Sequence, residues 1–375
     1  KLISLGHRSA IADKWNMVLR GSALWRLKDN IDRKFMDQFE NIAPMTPPPI
    51  PKNRVQGLEQ ALGATPLCGG CGAKVAGTAL SGVLQTLAPP TRPDILSSPG
   101  DDAAMLQGPN GATQVITTDH LRSFTADPYT MARIAAVHSL GDIWAMGAAP
   151  QSALATIILP RMTTNMQRQW LAEIMDAATQ VFGGVGADIV GGHSSIGAEL
   201  TIGFSVTGLC QHKPITLSGA KPGDLIVLSK PIGTGTIMAG EMAMLASGAW
   251  VTQALRQMST PQGDVAVALG HAHAMTDVTG FGLAGHLKNI AAASGVSITI
   301  DINAIQILPG ALELAALGVR SSLFDDNADL AREIPTGISP RQDLLFDPQT
   351  AGGLLAAIAP QDFAAISSSI NIQNN

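Results

Sequence analysis

Five aspartates of this chain stand among glycines and small residues rather than beside cations. Asp101 and Asp102 follow Gly100, Asp119 closes an apolar run, Asp142 follows Leu140-Gly141, and Asp277 opens Asp-Val-Thr-Gly-Phe-Gly. Singly, each has an ordinary reading, because an aspartate in a turn caps its own backbone or a helix. As a set they point elsewhere. Carboxylates in apolar surroundings without basic partners are unfavourable. A hard cation such as Mg²⁺ relieves this, and Mg²⁺ commonly works with the phosphates of a nucleotide. His138 precedes Asp142 by one helical turn and shares its face. Gly191-Gly192-His193-Ser194-Ser195 follows the short run Ala187-Asp-Ile-Val. Glycines there let backbone amides approach an anion, and the plainer reading is a strand-end turn with a loop histidine. The chain contains neither G-x-x-x-x-G-K-[ST] nor a G-x-G-x-x-G opening a helix, which excludes a P-loop and argues against a Rossmann site.

Residues 68–74, Cys-Gly-Gly-Cys-Gly-Ala-Lys, allow three chemistries. Cys68 and Cys71 are spaced as half of a zinc site, but no second C-x-x-C follows and Cys210 lies in an expected strand. They are also spaced as a redox pair, although such a pair normally opens a helix within a βαβ unit. The third reading is a flexible glycine-rich loop, an active-site lid with a reactive thiol. A lysine near a thiol favours the thiolate, and Lys74 could also grip phosphate oxygens.

The elements that must position these groups alternate between strand and helix after Pro66. Strands are expected at 112–118, ending at Asp119, and at 152–159, 187–190 and 201–209. Asp127-Pro128 reads as an N-cap with proline in the first turn, opening a helix to about Met146. A second helix spans about Asn165–Phe182. A second unit begins near Lys221, with strands at 225–229, 296–300 and 353–358 and a helix from Gly282 to about Ala293.

With 375 residues, two domains are the default. A hydrophobic fraction of 46% and a charged fraction of 14% indicate a compact folded chain, not a disordered one. A net charge of −5 without basic runs argues against nucleic acid as the main partner. Three cysteines build no disulfide framework, which suggests a reducing, cytoplasmic compartment. Residues 1–45 differ from the rest. The stretch 19–36 interleaves Lys and Arg with apolar residues as an amphipathic helix, packed on its own domain or lying on a membrane surface. Five prolines in 43–51 make a stiff linker. The expected organisation is an extension (1–45), a linker (46–65) and two domains (66–213 and 214–375). A start at Lys1 suggests a piece of a longer protein.

Taken in order, Gly-Cys-Gly-Ala-Lys (70–74), Gly-Asp-Asp-Ala-Ala (100–104), Thr-Thr-Asp (117–119), 133–147, Gly-Gly-His-Ser (191–194), 276–287 and Asp-Pro-Gln-Thr-Ala-Gly-Gly-Leu-Leu (347–355) resemble the selenophosphate synthetase (selenide, water dikinase) family. The resemblance runs over about residues 60–370. It implies an aminoimidazole-ribonucleotide-synthetase-like two-domain α/β (α+β) fold whose N-terminal domain pairs in a homodimer. It implies that ATP, selenide and water give selenophosphate, AMP and phosphate, with Mg²⁺ and a K⁺-type monovalent ion. Carried over residue by residue, Cys71 and Lys74 are the catalytic pair. ATP contacts fall on Lys74, Gly100, Asp101, Asp119, Asp142, Gly192, His193 and Ser194, and metal ligands on Asp102, Asp142 and Asp277. Ala73 stands where the family often has a second cysteine, and His138 where it commonly has asparagine. The chain ends at Asn375, where relatives usually continue through a last strand. The alternative is a thiamine-monophosphate-kinase-like or purine-pathway-synthetase-like member of the same ATP-using superfamily, which would lack the Gly-Cys-Gly-x-Lys loop. Residues 3–12 and 21–36 resemble the C-terminal tail of a pyridine nucleotide-disulfide type NADH dehydrogenase. That implies a fused flavoprotein upstream, through which the chain would meet a membrane.

Overall fold

Alternating burial along two long strands and continuous burial along one helix set the architecture. The computed structural model describes residues 1–14, 17–40, 53, 55, 68–75, 77–84, 86–108, 111–364 and 366. The proline-rich segment 43–51 lies outside them. The chain divides into two compact units, Lys1–Thr46 and Pro47–Asn375.

The first unit is a three-stranded antiparallel meander, β1 (Leu2–Gly6), β2 (Ser9–Lys14) and β3 (Met17–Gly21), followed by helix α1 (Ser22–Glu40). The helix agrees with the amphipathic pattern. The meander was not expected, because its strands are only five or six residues long and carry polar residues between the apolar ones. Ile3, Leu5, Met17, Val18, Leu19, Leu27, Ile31, Phe35 and Met36 are exposed. No helix among the described residues is long and apolar enough to cross a membrane.

The second unit holds two sheets. The larger has the order β4 (Ala104–Gln107), β5 (Thr113–Arg122), β8 (Thr201–Cys210), β6 (Ala149–Pro160), β7 (Asp188–Gly197). Its pairs are antiparallel except β6–β7, which is parallel and joined by a helix as parallel strands require. The smaller is antiparallel: β10 (Ala274–Asp277), β11 (Leu354–Ile358), β9 (Leu225–Leu228). Between them runs helix α2 (Pro128–Ala145), which touches β5, β8, β10 and β11. Its sequence is apolar on all sides, so it must be buried on all sides. Asp127 caps it by accepting from the Tyr129 amide at 3.1 Å, with Pro128 in the first turn. Helix α3 (Thr164–Gly184) covers the same face of the large sheet, while Ile116, Leu154, Thr156 and Leu209 remain exposed on the other.

Three local readings need correction. β5 does not end at Asp119; it continues to Arg122, because His120 and Leu121 prolong the exposed–buried alternation and pair with Gly203 and Ile202. Gly191–Ser195 are not a turn but the middle of β7. Residues 296–300 alternate in exposure like a strand but join no ladder.

The motif Asp347-Pro-Gln-Thr closes the fold. Helix α4 (Thr234–Met242) begins at Gly233, which has no capping side chain. The Gln349 carboxamide oxygen accepts instead from the Gly233 and Thr234 amides (2.9 and 3.1 Å) and from the Thr234 hydroxyl (3.1 Å). Asp347 accepts from the Gly235 amide (3.1 Å) and the Thr236 hydroxyl (2.7 Å). The helix start is thus satisfied from 110 residues or more away in sequence. Gln349→Ala leaves three buried donors without an acceptor and should lower stability by about 2–4 kcal/mol. Thermal denaturation checks this, and an unchanged Tm would mean that water replaces the side chain.

Candidate active site

Four elements bring carboxylates to one place. Asp102 stands in the turn before β4, Asp119 on β5, Asp142 in the last turns of α2, and Asp277 at the end of β10. Carboxylate oxygens of Asp102, Asp142 and Asp277 all lie within 4.8 Å of one another. Two glycines make this approach fit. A Cβ at Gly141 would stand 2.2 Å from Asp277 Oδ2, and one at Gly280 would stand 2.8 Å from the Lys74 side chain.

Hydroxyl groups aim the carboxylates. Thr117 donates to Asp142 Oδ2 at 2.5 Å, and Thr276 donates to Asp102 Oδ1 at 2.8 Å. The other oxygen of Asp102 and Oδ2 of Asp277 are buried without a hydrogen-bond partner among the described residues. Burial pushes Asp102, Asp142 and Asp277 well above the usual carboxylate range. Mutual repulsion pushes further in the same direction, Asp142 acting on Asp102, Asp277 on Asp142 and Asp102 on Asp277. Lys74 opposes the shift in all three. Buried, unpartnered and purely oxygen donors are what a hard divalent cation binds, so the residues present fit Mg²⁺.

Asp119 borders this group. Lys74 Nζ lies 3.5 Å from its Oδ1, and His138 Nε2 lies 3.5 Å from its Oδ2. Burial raises the Asp119 pKa, but the neighbouring cationic groups outweigh it and hold the carboxyl below its ordinary value. His138 is fully buried and its pKa falls to about 4, so it is neutral near pH 7 and Lys74 is the cation that counts. His138 is therefore a buried wall of the site, one turn before Asp142.

The remaining residues expected at the site are placed differently. Asp101 is occupied by its own turn, accepting from the Asp102 amide at 3.0 Å and the Leu217 amide at 3.4 Å. Gly100 has φ +140°, a conformation suited to glycine. Gly192, His193 and Ser194 do not join the carboxylates within the chain. Asp119, Phe204, Ala155 and Gly192 form one row across β5, β8, β6 and β7. Three strand spacings separate its ends by roughly 14 Å. Gly192 has a reason of its own: a Cβ would stand 2.1 Å from the Ala155 carbonyl oxygen.

The loop 68–74 forms a single 3₁₀ turn, Gly70–Ala73, and the Cys71 side chain lies outside what the structure describes. Its glycines serve close packing. A Cβ at Gly69, Gly70 or Gly72 would stand 2.4 Å from the Ser123 carbonyl oxygen, 2.8 Å from the Thr350 hydroxyl, or 2.5 Å from Cys68 Cβ. Cys68 is buried, and its amide donates to the Ser322 hydroxyl, which donates to the Gly72 carbonyl at 2.8 Å. No zinc-type cluster of Cys or His occurs among the described residues. Reading for charge alone missed Gly141, Thr117, Thr276 and Gly280, whose one signal is position: each is next to, or a few residues from, a site group.

The AIR synthase related protein, N-terminal domain, matches residues 100–210, and the AIR synthase related protein, C-terminal domain, matches residues 221–371. The chain is 34% identical over 302 residues to a selenide, water dikinase of Pelobacter propionicus, covering 78% of this chain and 86% of that protein. It is 35% identical over 302 residues to one of Bdellovibrio bacteriovorus, with the same coverage. Among solved structures, thiamine-monophosphate kinase from Stenotrophomonas maltophilia K279a superposes with a TM-score of 0.55 at 21% identity, covering 80% of this chain and 91% of that one. That likeness shows the fold alone.

If repulsion dominates the carboxylate group, removing one charge stabilises the cation-free protein. Asp277→Asn should raise Tm in the presence of a chelator by about 2–4 °C, roughly 1 kcal/mol for a unit of this size. A lower Tm would mean that protein partners, not a cation, satisfy Asp277.

Proposed function

We propose roles for these residues from one premise: the chain belongs to the selenide, water dikinase family and is an ATP-dependent phosphotransferase that makes selenophosphate. The observation that carries the assignment is the convergence of Asp102, Asp142 and Asp277 beside the Lys74–Asp119 pair. Asp102, Asp142 and Asp277 would hold Mg²⁺, and the chemistry it would supply when bound is neutralisation of negative charge on the ATP phosphates. Lys74 reaches the phosphates as a point cation, with Asp119 keeping its ammonium in place. Burial among Thr117, Thr276 and the wall of α2 keeps the carboxylates oriented and water scarce. Cys71 handles selenium. Its loop is fixed on either side by Ser322, which suits a thiol that must meet the phosphates repeatedly in one position.

The roles of Gly192, His193 and Ser194 as ATP contacts call for a homodimer, since one chain leaves them a sheet's width from the carboxylates. The uncovered face of the large sheet supports such a pairing. Residues 1–45 are proposed to be a dehydrogenase-type tail, and a dehydrogenase partner would cover the apolar side chains exposed there. A K⁺-type ion is a further requirement that the family suggests.

Anaerobic incubation with ATP, Mg²⁺ and selenide, followed by phosphorus NMR, tests the whole reading: selenophosphate, AMP and phosphate should appear in equal amounts. Cys71→Ser should abolish selenide-dependent turnover while ATP still binds, and Cys68→Ser, which keeps a small hydrogen-bonding side chain, should remain active. Lys74→Ala should reduce turnover by about 10²–10³, the scale of losing one group that stabilises transition-state charge. Activity in Cys71→Ser would remove selenium handling from that residue. Mixing His193→Ala with Asp277→Asn copies should restore roughly a quarter of wild-type activity, because half the dimers are mixed and each has one intact site. No recovery would place both functions in one chain.

A further inference from the structure

Behind Asp102 a hydrogen-bond chain has one possible direction. His286, in helix α5 (Gly282–Ser294), is buried, with its Nε2 3.0 Å from the Thr279 amide nitrogen. An amide can only donate, so Nε2 carries a lone pair. Burial drops the His286 pKa to about 3, so the ring is neutral and its proton is on Nδ1. Nδ1 lies 3.3 Å from the Thr276 hydroxyl oxygen and therefore donates to it. The hydroxyl passes its own proton to Asp102 Oδ1 at 2.8 Å, in preference to the Asp277 carbonyl at 3.2 Å. The ring of Phe281 lies against His286, with centroids 5.7 Å apart, and narrows its freedom to turn.

We propose that Thr276 and His286 are positioning residues for the divalent cation, acting through Asp102. The inference rests on the cation site proposed above. The relay occupies Oδ1 of Asp102 and leaves Oδ2, buried and without a protein partner among the described residues, as the oxygen to offer a cation shared with Asp142 and Asp277. It also ties a turn before β4 to the end of β10, 174 residues later in sequence. Without it, Asp102 could rotate away from two like-charged neighbours, which the repulsion in the group favours. Groups behind a metal ligand typically change metal affinity by about 10–100-fold when removed.

The probe is Mn²⁺ alone, its binding to cation-free protein followed by electron paramagnetic resonance. Thr276→Val keeps the shape and removes the hydroxyl, and should weaken Mn²⁺ binding by about tenfold or more; Thr276→Ser should stay within about twofold. His286→Asn puts an amide N–H near the position of Nδ1 and should keep binding within about threefold. His286→Gln reaches the position of Nε2 instead, satisfies the Thr279 amide, and should bind about tenfold more weakly. A merely structural role predicts the reverse order for the two histidine variants, because Gln keeps the buried amide satisfied. Should both histidine variants fail to fold, the Val and Ser pair decides alone. If Thr276→Val binds Mn²⁺ like the parent while Asp102→Asn does not, the relay is overturned and the cation site stands. If Asp102→Asn also binds like the parent, the cation site itself falls.

Discussion

Three carboxylates share a space less than 5 Å across. At that distance two unit charges in a protein's effective dielectric repel by a few kcal/mol, which together with burial holds all three carboxyls well above their usual range. Nothing local can hold them, because the residues come from a turn, a helix and a strand of different sheets. The holding is done by α2, whose Met131, Ile134, Leu140 and Ile143 are fully buried. Each such side chain contributes about 1.5–3 kcal/mol when fully buried, the same order as one of these repulsions. Asp142 belongs to that helix, and moving it away would unpack the helix from both sheets.

The same helix explains the glycines. α2 comes close to β10 where Asp142 and Asp277 approach each other, and Gly141 is where the two elements meet. Alanine there would overlap the Asp277 carboxylate, so the glycine is set by approach rather than by backbone conformation. Gly280 does the same for the aliphatic stem of Lys74. A lysine that is only about one-third exposed is thereby threaded between β5 and the turn after β10, with its ammonium left at Asp119.

Much of the fold was legible because its signals are local. Asp127-Pro128 opens α2, and runs of apolar and β-branched residues mark β6 and β8. The carboxylates were legible as a set because charged residues are few and their apolar settings unusual. What escaped was whatever depends on contacts distant in sequence. Nothing near Gly191–Ser195 shows that β6 will pair with it and draw it into a strand. Nothing near Val296–Ile300 shows that its alternation will find no partner strand. The relay through His286 was invisible for the same reason: its direction follows from the Thr279 amide, and its target, Asp102, lies 174 residues from Thr276. The trans-capping by Asp347 and Gln349 reads in sequence as a motif without a mechanism.

The cysteine loop shows how far such distant contacts reach into chemistry. Its glycines suggest mobility when read alone, yet each one faces an atom that a Cβ would strike. Two of those neighbours belong to other parts of the chain: Ser123, just past the end of β5, and Thr350 in the segment that caps α4. Cys68 is buried in this contact, and its amide and sulfur both meet Ser322. Cys68 anchors the loop to the C-terminal half, and Cys71 stands between the two backbone points that Ser322 holds. Lys74, one residue past the turn, lies with its Nζ 3.5 Å from Asp119 Oδ1. The loop's place in the fold is held by Ser322, some 250 residues downstream.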